Sequence, residues 1–182
     1  MHATQLDVCS PASVEAWADA VGCLAGHVDV LINNAGIYGP RASLNDVAAE
    51  DALAVFSTNA LGPLLVVQSL RRRGLLGGAA PTLVANVSSK VGSVDDNKSG
   101  GGYAYRASKA ALNIITKSLS VDLAGEGVTA TLLHPGWVIT EMTGGQGLID
   151  ARTSVEGMLG VLESGRELQG AWHAFDGKPI PW

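Results

Sequence analysis

Tyr105 and Lys109 stand four residues apart in the run Tyr105-Arg106-Ala107-Ser108-Lys109, and a helix brings residues at that spacing onto one face. A free phenol titrates near 10, and an adjacent ammonium lowers that by roughly 1 to 3 units, giving an acid that protonates a carbonyl oxygen near neutral pH. The same pair also suits an ordinary helix surface. Ser89 follows the apolar run Thr82 to Val87; its hydroxyl suits the binding of a substrate oxygen, or a turn at a strand end. Asn59 is a polar residue in an otherwise apolar helical segment. Its side-chain amide would hold a water linking Lys109 to solvent, or would simply face the surface.

Such side chains meet only where strand and helix ends converge. Short β-type runs alternate with longer segments of helical period, the pattern of an α/β fold with a doubly wound, Rossmann-like parallel sheet covered by helices on both faces. Ala3 to Val8 reads as a strand. Ser10 and Pro11 open a helix whose apolar positions Val14, Trp17, Ala18 and Val21 share a face, and Gly26 ends it. Val28 to Ile32 is a buried strand running into Asn33-Asn34-Ala35-Gly36, and Thr82 to Val87, Val128 to Leu133 and Ala171 to Phe175 are further strands. A helical segment from Leu44 breaks at Gly62-Pro63 and stops near Gly74 to Gly78. Two more helices are predicted, from Tyr103 to Leu123 and from Ser154 to Ser164. Ser89 and His134-Pro135-Gly136 fall at the carboxyl ends of strands, where ligands bind in open α/β sheets. Trp137 to Ala151 reads as a loop with the character of an apolar lid. No repeat or linker divides the sequence, so residues 1–182 read as one domain.

With 47% hydrophobic and 16% charged residues the composition is that of a globular domain. Cys9 and Cys23 form no CxxC pair and no cluster with the four histidines, so reduced thiols and no metal site are expected. A net charge of -5 argues against nucleic-acid or anionic-membrane partners, which need a concentrated positive field. Arg71, Arg72 and Arg73 form the only basic run, placed to complement the dipole at a helix C-terminus. The most apolar stretch, Leu61 to Leu70, is short for a membrane span and carries Gln68 and Ser69. Met1 to Asp7 has no basic region followed by an apolar one, so the chain as it stands is expected in the cytoplasm.

The ordered set Asp7-Val8, Asn33-Asn34-Ala35-Gly36, Asn59, Ser89, Tyr105-x-x-x-Lys109 and Pro135-Gly136-x-x-x-Thr140 resembles the short-chain dehydrogenase/reductase family over nearly the whole chain. The wording from Tyr103 to Asn113, from His134 to Val138 and from Asp176 to Trp182 is similar to its C-factor and sniffer-like carbonyl reductase branch. The resemblance implies an NAD(P)-dependent oxidoreductase acting on a small carbonyl or alcohol, with NADP favoured over NAD. It implies that Tyr105 is the general acid/base, that Lys109 lowers its pKa and holds the nicotinamide ribose, that Ser89 orients the carbonyl and that Asn59 completes a proton relay. It further implies that Asp7 and Val8 border the adenine, that Asn33, Ala35 and Gly36 line the adenosine side, and that Pro135, Gly136, Val138 and Thr140 meet the nicotinamide carboxamide.

The chain departs from the family at its start. Met1 falls where the family's third strand should begin, and the glycine-rich first strand-turn-helix that holds the cofactor pyrophosphate is not in the sequence. Two readings follow: an oxidoreductase whose N-terminal segment lies outside this sequence, favoured by the catalytic set, and a short relative that binds or signals. The strand Val28 to Ile32 is then an apolar edge, expected either to pair with Ala3 to Val8 or to drive self-association.

Overall fold

A computed structural model describes residues 2–182. Four parallel strands, β1 (Val30–Asn33), β2 (Thr82–Val87), β3 (Val128–His134) and β4 (Trp172–Ala174), lie side by side in chain order. Helices α1 (Pro11–Leu24), α2 (Ala49–Phe56), α3 (Gly62–Arg72), α4 (Tyr103–Asp122) and α5 (Ala151–Glu163) accompany them. The Ser10 side chain caps α1 by accepting from the Ser13 N–H, and Asp150 caps α5 by accepting from the Thr153 N–H at 2.7 Å.

Strand alternation divides the core between two sheet faces. Leu31, Val84 and Ala130 face Val14 and Ala18 of α1 and Val66, Val67 and Leu70 of α3, while Leu132 and Trp172 meet Leu112 of α4. On the opposite face Ala85 and Leu133 pack against Val161 of α5. Helices on both faces are therefore the predicted doubly wound arrangement. The cover on the α5 face stops short of β1: Val30 and Ile32 are 51% and 48% exposed, and β1 is an open edge among the described residues.

Three expectations need correction. Ala3 to Val8 is not a strand. A strand requires a partner for its N–H and C=O groups, and here the segment ends in a turn, with the Ser10 N–H bonded to Asp7 O at 3.2 Å and the Cys9 N–H to Asp7 Oδ1 at 2.9 Å. It does not pair with β1, whose edge it leaves uncovered. Nor does Gly62-Pro63 break its helix. A π turn, Ser57–Leu61, joins α2 to α3 and widens the coil at Asn59, the residue whose carbonyl a proline four positions on would otherwise strike. The unbroken stretch Ala49–Arg72 is, by length and composition, long and apolar enough to cross a membrane, which Leu61 to Leu70 alone was not. Here half of its apolar window is buried in the domain. The arginine run lies at the C-terminus of α3 as expected and makes ion pairs besides: Arg72 with Glu15 and Arg73 with Glu15 and Asp19 clamp α3 to α1, and Arg71 with Glu126 ties it to the turn after α4.

Gly62 lets the chain ahead of α1 lie against this helix. A Cβ at that position would come within 2.9 Å of Val8 Cβ and 3.2 Å of the Val8 carbonyl oxygen.

Candidate active site

The loops at the carboxyl ends of β1, β2 and β3 line an open cavity of about 900 Å³. Ser89 comes to its wall from the end of β2, and Tyr105 and Lys109 come from the first two turns of α4. Ala35 and Gly36 join them from the end of β1, and Pro135, Gly136, Val138 and Thr140 from the end of β3.

Lys109 is 4% exposed, and its Nζ donates to the Val87 carbonyl at 2.9 Å and stands 5.8 Å from the centre of the Tyr105 ring. Burial disfavours its charged form and lowers it to about 8. The Tyr105 phenol moves the other way. Burial raises it above its ordinary value, the neighbouring Ser89 hydroxyl opposes the rise, and Tyr38 adds to it. The expected net lowering is thus not seen here: burial is the largest influence on the phenol, and the Lys109 Nζ is engaged with the Val87 carbonyl.

Asn59 is a correction of another kind. It is fully buried, and its amide is engaged on three sides: Oδ1 accepts the Ile37 N–H at 2.8 Å, and Nδ2 donates to Ile37 O at 2.8 Å and to Ser108 Oγ at 3.0 Å. It is not a surface residue, and both hydrogens of its amide nitrogen are engaged by Ile37 O and Ser108 Oγ. Its observed work is to fix the loop after β1 against α4. Asn33 also points inward, donating to Asn86 Oδ1 at 2.8 Å, while Asn86 donates to Thr116 Oγ1 at 2.8 Å. Asp7, Val8, Asn33 and Asn59 lie off the cavity wall, whereas Asn34 lies on it.

Tyr38, Arg41 and Arg106 are among the wall residues that the sequence does not single out. The Tyr38 ring stacks on Tyr105 with centroids 4.7 Å apart, the Arg41 guanidinium stands 5.7 Å from the Tyr38 ring centre, and Arg106 follows Tyr105 on α4. Their position after a strand end and beside the Tyr/Lys pair was the available signal.

The sequence matches the family model for short chain dehydrogenases over residues 1–148. It is 46% identical over 166 residues to the C-signal of Myxococcus xanthus, covering 91% of this chain and 99% of that one. The fold is similar to that of the carbonyl reductase Sniffer of D. melanogaster, with a TM-score of 0.91 and 30% identity over 100% of this chain and 78% of the other. It is also similar to NADPH-bound carbonyl reductase from chicken fatty liver, with a TM-score of 0.85 and 35% identity over 97% and 75% of the two chains. The chain belongs to the short-chain dehydrogenase family of oxidoreductases.

Proposed function

We propose that this chain catalyses hydride transfer between a nicotinamide cofactor, NADP(H) in preference to NAD(H), and a carbonyl or alcohol substrate, with Tyr105 as general acid/base. The observation that carries the reading is that Ser89, Tyr105 and Lys109 line one cavity at the carboxyl ends of the strands. The preference for NADP(H) rests on the chicken carbonyl reductase, which is described with NADPH bound.

The cavity fits the nicotinamide riboside end of such a cofactor. Gly36 leaves bare the space beside Lys109, since a Cβ there would stand 3.6 Å from Lys109 Nζ and 3.3 Å from Asn59 Oδ1. Lys109 would hold the ribose, and Pro135, Gly136, Val138 and Thr140 would flank the carboxamide. When bound, the nicotinamide supplies the hydride. In reduction, the Ser89 hydroxyl donates a hydrogen bond to the carbonyl oxygen and fixes its direction. Tyr105 passes its phenolic proton to the same oxygen as negative charge develops there. Lys109, about 8 in this setting, is cationic at pH 7 and stabilises the phenolate left behind. In alcohol oxidation the phenolate takes the proton back.

Incubating the chain with aldehydes and ketones and with NADPH or NADH carrying deuterium at both C4 positions tests the reading. One deuterium in each alcohol product is expected, and no transfer from either cofactor would contradict it. A second reading, a binding or signalling role independent of catalysis, is supported by the match to almost the whole length of the C-signal. In that case biological action would survive loss of the Tyr105 hydroxyl.

A further inference from the structure

We infer that the substrate carries an anionic group, a carboxylate or a phosphate, received by Arg41 and Arg106 at one end of the cavity; this deepens the reductase reading above and rests on it. The charge distribution points there first. The chain has 17 Asp and Glu against 12 Lys and Arg, yet the cavity wall carries Arg41, Arg106 and Lys109 and no carboxylate. In an acidic chain, three cations with no acid among them mark a local positive field that concentrates anions.

The arginines themselves are the second observation. Arg71, Arg72, Arg73 and Arg152 are each paired with a carboxylate. Among the described residues Arg41, Arg106 and Arg166 have no such partner; Arg166 is bonded to Ser164 and the Gly177 carbonyl away from the cavity, and Arg41 and Arg106 are the two that line it. Asp51 shares a smaller adjoining cavity with Arg41 but forms no ion pair with it. Arg106 is anchored by Nη1 to the Val91 carbonyl at 3.1 Å and by Nη2 to Ser99 Oγ at 2.8 Å. A guanidinium has five N–H donors, so this leaves most of its fork for another acceptor.

Geometry ties both cations to the reacting end. From the Tyr105 ring it is 4.7 Å to the Tyr38 ring and 5.7 Å more to the Arg41 guanidinium carbon. A Cβ on Gly102 would stand 3.3 Å from the Tyr38 hydroxyl and 3.8 Å from Arg106 Nε, so both groups border one spot. A carbonyl held at Ser89 and Tyr105 would therefore place a group several bonds away beside two guanidinium forks, which recognise carboxylate and phosphate in two-pronged fashion. Arg106 is fixed by the loop after Ser89, and Arg41 lies next to α2, away from the Pro135 to Thr140 side assigned to the nicotinamide.

The test compares 4-formylbenzoate with its methyl ester, and glyceraldehyde 3-phosphate with glyceraldehyde, at millimolar NADPH. It is paired with calorimetric titration of the unreactive product 4-(hydroxymethyl)benzoate. The charged member of at least one pair should show on the order of 10-fold higher kcat/KM, and which pair responds tells carboxylate from phosphate. Arg41→Gln and Arg106→Gln should each collapse that ratio and weaken binding of the product acid, and salt should act likewise. Arg152→Gln, on an exposed face of α5, should leave the ratio intact. Because Arg41 is exposed and makes no hydrogen bond, its variant reports on charge and not on folding. Ratios near one in both pairs, unmoved by either variant, would overturn the inference. So would a raised KM for NADPH in the variants with the ratios unchanged. Arginine-dependent binding of the product acid without turnover of any aldehyde would instead count against the reductase reading and support the anion site.

Discussion

Asn59 Nδ2 donates to Ser108 Oγ across 3.0 Å, one residue ahead of Lys109, while the same amide holds both the N–H and the C=O of Ile37. A single buried side chain thus joins the π turn, the loop after β1 and α4. Removing it strands two backbone groups, and a lost buried partner costs about 1 to 3 kcal/mol. Ile37 is partly exposed, so the low end applies to each group, and Asn59→Ala should lower stability by roughly 2 kcal/mol in urea unfolding. An unchanged midpoint would contradict this bridging role.

His134 links stability to acid. Its Nδ1 accepts the Lys90 N–H at 3.3 Å. Burial, with a smaller push from the Lys90 charge, lowers it from 6.5 to about 4, against a weaker pull from Asp176. Between those values the unfolded chain binds more protons than the folded one, so this contribution is complete above pH 6.5 and is lost as pH falls towards 4. The melting temperature should decline through that window, and His134→Gln should flatten the decline. Equal slopes in both proteins would show that His134 is not the group responsible.

Association should follow from the open edge. Val30 and Ile32 expose apolar surface beside unpaired strand groups of β1, the arrangement that recruits a second strand. Light scattering of the 182-residue chain should show mass rising with concentration, and Ile32→Lys should suppress the rise. A monomer at every concentration would rule this out.

Much of the framework was legible because it is local. Thr82 to Val87 and the start of α4 at Tyr103 follow from apolar runs and flanking turn residues, and the Tyr105/Lys109 face follows from helical spacing. What failed depended on distant parts of the chain. Ala3 to Val8 has strand-like residues, but no strand lies beside it. Asn59 reads as a surface residue because nothing in its neighbourhood announces the π turn or the Ile37 backbone it clasps. The upward direction of the Tyr105 shift is illegible for the same reason, since it comes from burial within the fold and not from the four-residue spacing.

Cofactor affinity should be low for the chain as it stands. Asp7 and Val8 lie off the cavity wall, which leaves the nicotinamide riboside end as the part of NADPH with a described site. Forgoing about two charge-assisted hydrogen bonds to the pyrophosphate weakens a site of about 1 μM to roughly 0.1 to 10 mM. Calorimetric titration should show millimolar-range binding, and low-micromolar binding would reveal a phosphate site elsewhere.

The most direct measurement is reductase turnover of the wild-type chain and of Tyr105→Phe, across a panel of aldehydes and ketones at millimolar NADPH and NADH. The substitution removes the transferable proton and little volume, so melting should be nearly unchanged. General acid catalysis is typically worth about 100- to 10,000-fold, and kcat/KM should fall by that order for every substrate the wild type reduces. Retention of most of the activity by the phenylalanine variant would contradict the assignment of Tyr105 as the proton donor.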